Sequence, residues 1–230
     1  MMNKMPVLFI GHGSPMNIVA DNGYTRSLAK LGRSIPRPQA IVVVSAHWLT
    51  DGTHVTCEER PKTIYDFYGF PPELYRVQYA CPGAPECAAR VAAAVGDAKV
   101  VCDQGWGLDH AAWAVLTWLY PDADIPVSEL SLDIRKPAHY HYELAKALAP
   151  LRSEGVLIIG SGNIVHNLRM AQWDEKAEPY DWAVKADEEM KQLLQSKNHT
   201  ALINYEELLH AQLAIPTNEH YLPMLYTLAL

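Results

Sequence analysis

The sequence predicts an α/β fold: a single domain over residues 1–230, with a central, mainly parallel mixed sheet flanked by helices. Its ligand crevice would lie at the carboxyl ends of the strands. Three observations point there. Val7–Ile10, Ile41–Val44 and Val156–Ile159 are short, continuous apolar runs, the pattern of strands buried on both faces. Helical patterns separate them, and strand–helix alternation builds a parallel sheet. Each run also leads toward a histidine near its carboxyl end.

The first strand, "VLFI", stops at Gly11-His12-Gly13, where the glycines let the backbone turn sharply beside the imidazole. The second ends in "SAHW" at His47. "HVTCEE", His54–Glu59, is a weaker strand candidate. It runs into "ERPKTIYDFYGFPPELYRV", the one long irregular stretch, dense in Pro, Gly and Tyr. Loops of that length usually carry function. "PECAARVAAAV" reads as a helix opening on Pro85 and stopping before Gly96. "KVVC", Lys99–Cys102, is another weak strand. "DHAAWAVLTWLY" is a helix that Asp109 caps, with His110 at its start. "IPVSELSL", Ile125–Leu132, alternates more than the other strands.

"PAHYHYELAKAL" starts a helix at Pro137. The third buried run then ends in "GSGNIVHN", which carries His166. "YDWAVKADEEMKQLLQ" is a long helix with an acidic outer face. "YEELLHAQLA" and "HYLPMLYTLAL" supply the last helical patterns, and the apolar "YTLAL" reads as either a buried end or a chain with residues missing after Leu230.

Composition narrows the function. The net charge of −7 leaves no basic stripe for nucleic-acid phosphates or anionic membranes. "IVVVSA" is far too short to span a bilayer. The four cysteines, Cys57, Cys81, Cys87 and Cys102, form no CxxC pair, so they read as mostly buried reduced thiols in a cytoplasmic protein. GxGxxG, P-loop and HExxH motifs are missing, and "GSGNI" makes a poor nucleophile elbow for Ser161.

Ten histidines are the unusual count. Open parallel sheets bind ligands at the carboxyl ends of their strands. His12, His47 and His166 would therefore meet in one crevice, although a lone strand-end histidine is ordinarily just a satisfied polar residue. Neutral imidazole is the commonest metal ligand. His110 and His220 sit where helices begin, and Glu219 beside His220 offers a carboxylate, the more usual third ligand of non-haem iron. His54, His139, His141, His199 and His210 lack this placement and read as surface or helix-face residues.

Together "GHGSPMN", "SAHW", "YDFYGFP", "GLDHAAW", "GSGNIVHN" and "NEHYLP" resemble the DOPA 4,5-dioxygenase branch of the class III extradiol ring-cleaving dioxygenases. The resemblance covers the chain from Gly11 to Pro223 in order. It implies one α/β domain, one divalent metal per chain, and a catechol ring opened by O2. The first reaction it suggests is 4,5-cleavage of L-DOPA to 4,5-seco-DOPA. It implies metal ligation by His12, His47 and His220, and acid/base or substrate-orienting roles for His110 and His166. More distant members carry a glutamate where His220 stands here.

Ring cleavage calls for Fe(II) with open positions. A histidine-rich set suits Zn2+ equally, and His166 as a fourth ligand would close a tetrahedral zinc shell. The expectation is zinc in the purified protein and iron for activity. Tyr65, Phe67, Tyr68 and Phe70 would wall the substrate pocket, stacking on a catechol, although packing of a long loop would account for them too. Arg60, Lys62 and Arg76 flank this wall and could meet a carboxylated substrate. The competing readings are a zinc-dependent hydrolase and a non-enzymatic binding protein with a relict metal site.

Overall fold

The computed structural model describes residues 4–96, 100–172, 174 and 176–230. Six strands form one sheet among these residues: β1 (Val7–Gly11), β2 (Ala40–Thr50), β3 (Thr53–Thr56), β4 (Val100–Asp103), β5 (Val127–Asp133) and β6 (Val156–Gly162). Their order is β1-β6-β2-β5-β3-β4. Every neighbouring pair is parallel except β3 with β5, which is antiparallel. The mainly parallel mixed sheet is as the sequence predicts. Lys99, placed by the sequence at the head of β4, lies outside the described residues.

Helices cover both faces. They are α1 (Gly23–Ser34), α2 (Pro85–Val95), α3 (His110–Leu119), α4 (Ala138–Ala147), α5 (Ala149–Ser153), α6 (Asp181–Gln195), α7 (His199–Ile203), α8 (Ala211–Ala214) and α9 (Leu222–Leu228). Side chains alternate along a strand, so β2 and β6 feed two cores. Val42, Val44, Val156 and Ile158 pack with α9 residues such as Leu225 and Tyr226. Ile41, Val43, Leu157 and Ile159 pack with Trp113, Leu116 and Leu28 from α3 and α1. No helix among the described residues is long and apolar enough to cross a membrane.

Four differences from the sequence reading have physical causes. Helix α1 is not foreseen, because few apolar positions mark it. Its signal is the capping box, in which the Asn22 side chain accepts from Thr25 N–H and the Thr25 side chain accepts from Asn22 N–H. β2 runs past His47 to Thr50 rather than ending there, with a register shift against β5 between Val44 and Leu49. Such an irregularity re-aims a side chain.

β5 is buried along its whole length despite its alternating sequence, because its polar residues find partners inside. Ser128 donates to the Ala84 carbonyl, Ser131 bonds Thr50, and Glu129 accepts from Trp106. "YEELLHAQLA" is not one helix: a 3-10 turn over Tyr205–Glu207 precedes the short α8.

The cysteine expectation is half corrected. Cys81 and Cys87 are buried thiols, but Cys57 and Cys102 form a disulfide between the neighbouring strand ends of β3 and β4. Parallel pairing that sets Val55 opposite Cys102 brings the two sulfurs together. Of the two readings for His141, surface or helix face, the structure has the second: it lies on the inner face of α4, fully buried, with Nδ1 against the Tyr226 hydroxyl of α9 at 3.1 Å.

Candidate metal centre

The site sits at the carboxyl ends of β1 and β6, beside the irregular part of β2. His12 follows directly on β1, and its N–H donates to the Gly162 carbonyl at the end of β6. His47 lies in the irregular part of β2, its N–H held by Ser45 Oγ at 3.0 Å. His220 precedes α9 and is drawn onto β6 by the Asn163 N–H, which donates to its carbonyl at 2.8 Å. A Cβ on Gly162 would collide with that same carbonyl, so only glycine permits this approach.

Three imidazoles converge through one atom each. His47 Nε2 lies 3.4 Å from His12 Nε2 and 3.2 Å from His220 Nε2. With metal–nitrogen bonds of about 2.1 Å, nitrogens roughly 3.0 Å apart subtend about 90° and nitrogens roughly 3.4 Å apart about 109°. The observed spacings fall in that range.

The other ring nitrogen of each residue is tied back. Ser161 Oγ donates to the Ala111 carbonyl at 2.6 Å, so at 3.1 Å from His12 Nδ1 it accepts. Asp66 Oδ2 accepts from His47 Nδ1 at 3.0 Å. Glu219 Oε1 accepts from His220 Nδ1 at 3.2 Å and from the Thr217 hydroxyl at 2.8 Å. With each proton on Nδ1, three bare Nε2 lone pairs face one another, and a cation relieves that repulsion. Metal-binding histidines characteristically carry such partners behind them. Glu219, a candidate ligand in the sequence, holds His220 Nδ1 from behind and also lies with His166 and His220 in a second possible donor group.

Electrostatics favour the neutral form of His12 and His220 but pull His47 the other way. Burial, reinforced by the neighbouring histidines, holds His12 well below the usual imidazole range. Burial also lowers His220, against the pull of Glu219. Burial acts to lower His47 as well, but the Asp66 hydrogen bond and the charges of Asp109, Asp66 and Glu219 outweigh it and leave His47 raised. Burial opposes the Glu219 charge, yet bonds from His220, its own backbone and Thr217 bring its carboxyl down to about 2.

His110 and His166 flank the convergence point. His110 opens α3, which Asp109 caps through Ala112 N–H at 3.3 Å. Its ring centroid is 4.2 Å from that of His47 and its Nδ1 is 2.8 Å from Asp66 Oδ2. Its Nε2 has no hydrogen-bond partner among the described residues. His166 stacks face to face on His220, centroids 3.4 Å apart and planes 12° apart. A ring nitrogen's lone pair lies in the ring plane, so parallel stacked rings direct their lone pairs side by side rather than at one point. Burial and His220 lower His166 to about 4.

The aromatic stretch divides. Phe67 and His110 meet perpendicularly with ring centroids 5.6 Å apart, and Phe67 also packs with Phe70, Tyr65 and Trp113. Tyr68 is 92% exposed and has no ring contact among the described residues. Arg60, Lys62 and Arg76 are exposed. Sequence reasoning missed Asp66 and Ser161 as partners of the ring nitrogens. The signal available for Asp66 was a lone acid inside "YDFYGFP".

Comparison with known proteins settles the family. The model for the catalytic LigB subunit of aromatic ring-opening dioxygenase matches residues 6–230. The chain belongs to that family. Within it, the chain is 50% identical over 229 residues to the 4,5-DOPA dioxygenase extradiol of Escherichia coli K12, covering 98% of this chain and 84% of that one. It is 38% identical to the protein of the same name from Beta vulgaris, covering 96% and 85%.

A crystal structure of an uncharacterized protein from Escherichia coli K12 superposes with a TM-score of 0.83 at 45% identity, over 98% of this chain and 88% of that one. As a LigB-family protein the chain is an extradiol dioxygenase, an oxidoreductase. The family implies a bound metal, and His12, His47 and His220 form a fitting donor set for one.

Proposed function

We propose that this dioxygenase opens the ring of L-DOPA between carbons 4 and 5, giving 4,5-seco-DOPA, at a centre held by His12, His47 and His220. The observation that carries the reading is the convergence of three histidine Nε2 atoms in a chain half identical to a 4,5-DOPA dioxygenase. Three protein ligands leave open positions for substrate. When bound there, Fe(II) supplies the electron path between a catecholate and dioxygen, which Zn2+ lacks. The proposal keeps Zn2+ as the ion found after purification.

In this reading His166 is an acid/base group rather than a fourth ligand. Stacked on His220 and neutral at pH 7, it accepts the proton of one catechol hydroxyl. His110 accepts from the second hydroxyl at its free Nε2. Phe67, perpendicular to His110, bounds the slot for the ring, with Tyr65 and Phe70 behind it, while Tyr68 sits at its outer rim. The single-domain organisation over residues 1–230 and a cytoplasmic setting, without nucleic-acid or membrane partners, belong to the same proposal. The Cys57–Cys102 bridge is the feature most at odds with a reducing compartment, and thiol counting in freshly lysed cells tests that setting.

Anaerobic reconstitution decides the chemistry. Iron-loaded protein mixed with L-DOPA and air is expected to consume oxygen and yield a yellow ring-fission product, and the zinc form neither. A zinc form as fast as the iron form, or an iron form inert toward catechols, would overturn the proposal.

A further inference from the structure

One carboxylate serves two of the five histidines. Asp66 Oδ2 accepts from His47 Nδ1 at 3.0 Å and from His110 Nδ1 at 2.8 Å, and Oδ1 accepts the backbone N–H of His110 at 2.9 Å. An ionised carboxylate only accepts, so Nδ1 carries a proton in both rings, and whenever the rings are neutral both Nε2 atoms are bare. The same residue completes the start of α3, because Asp109 takes Ala112 N–H and leaves His110 N–H to Asp66. Phe67, the next residue, meets the His110 ring perpendicularly. One turn of the long loop therefore sets the tautomer, position and apolar wall of His110, together with the tautomer of His47.

We propose that Asp66 is a positioning residue for ring opening, coupling the metal ligand His47 to the acid/base group His110 by holding both rings in the Nδ1–H form. It touches neither metal nor substrate and acts through the two imidazoles. The proposal rests on the reading that catechol cleavage occurs at the His12, His47 and His220 centre. Its bland rival is that Asp66 merely caps α3.

Asp66→Asn separates the two. The amide nearly matches the carboxylate in shape. It either turns N–H groups toward both rings, forcing the protons onto Nε2, or flips and faces the His110 N–H with its own. Three readouts are taken on the full chain: 15N shifts of histidine-labelled, metal-free protein, zinc affinity by chelator competition, and kcat of the iron form.

The expected result is a switch of His47 and His110 to Nε2–H, zinc affinity lower by at least about tenfold, and kcat reduced more than KM is raised. A lowered melting temperature with Nδ1–H retained, and zinc affinity and kcat both within twofold of wild type, would leave only the cap and overturn the proposal. Should Asp66→Asn not fold, Asp66→Glu decides. It must keep Nδ1–H in both rings, and an Nε2–H form that still binds zinc normally overturns the coupling. If wild-type iron protein fails to open any catechol, the functional reading falls, while the tautomer and zinc results still judge Asp66.

Discussion

Ser161 commits its own proton to the Ala111 carbonyl, and that leaves it only an acceptor to offer His12. The serine thus decides which nitrogen of the ring is bare, from 149 positions away in sequence. Ser161→Ala is expected to weaken zinc binding about tenfold while leaving the fold intact, as chelator competition and circular dichroism would register.

A second residue-scale consequence lies outside the site. Burial pushes His141 down to about 4, whereas an unfolded histidine titrates near 6.5. As pH falls below 6.5 the unfolded chain takes up this proton first. Stability is lost between pH 6.5 and about 4 and levels off below. Urea melts of metal-free protein at pH 7 and pH 4.5 should show wild type losing about 2 kcal/mol more than His141→Gln over that interval. Equal losses would show that this ring does not carry the effect.

At the scale of elements, the crossing of β6 under the start of α9 is built on absent side chains. A Cβ on Gly162 would fall on the His220 carbonyl and one on Gly160 on the Pro223 carbonyl. Gly32 plays the same part where α1 meets the Leu119 carbonyl at the end of α3, away from the histidines. Both Gly162→Ala and Gly32→Ala are expected to cost about 1–3 kcal/mol through overpacking. Only Gly162→Ala should also weaken zinc binding, because it displaces His220. Melting curves and zinc competition on the two variants compare stability with metal affinity.

The same scale shows what a sequence reveals. Histidines at strand ends are legible because position along a parallel strand implies position in the crevice, and so His12 and His47 stand out in one dimension. Asp66, Ser161 and Glu219 are not legible as partners, since what each accepts depends on chain segments folding back upon it. Helix α1 escapes notice because three buried residues, Thr25, Leu28 and Gly32, make its inner face, too small and too polar for an apolar stripe. β5 misleads in the opposite way: its serines and Glu129 look solvent-facing and are instead hydrogen-bonded inside.

For the molecule as a whole, the centre joins the end of β1, the middle of β2 and the segment before α9. Asp66 adds the long loop. A metal bound there stabilises all of them together, by about 2.7 kcal/mol when free metal is a hundredfold above Kd. Stripping metal with a chelator should lower the melting temperature of wild type and leave that of His47→Ala unchanged. An equal response in both would place the stabilising ion elsewhere.

His47 and His220 lie 173 positions apart, yet their Nε2 atoms meet. Closing so long a loop is entropically costly. During synthesis on the ribosome, a chain that has threaded out only its first half holds His12 and His47 but not their third companion. Such a fragment offers a metal two nitrogens and little grip. The proposed donor set is therefore complete only once the chain has been made past His220.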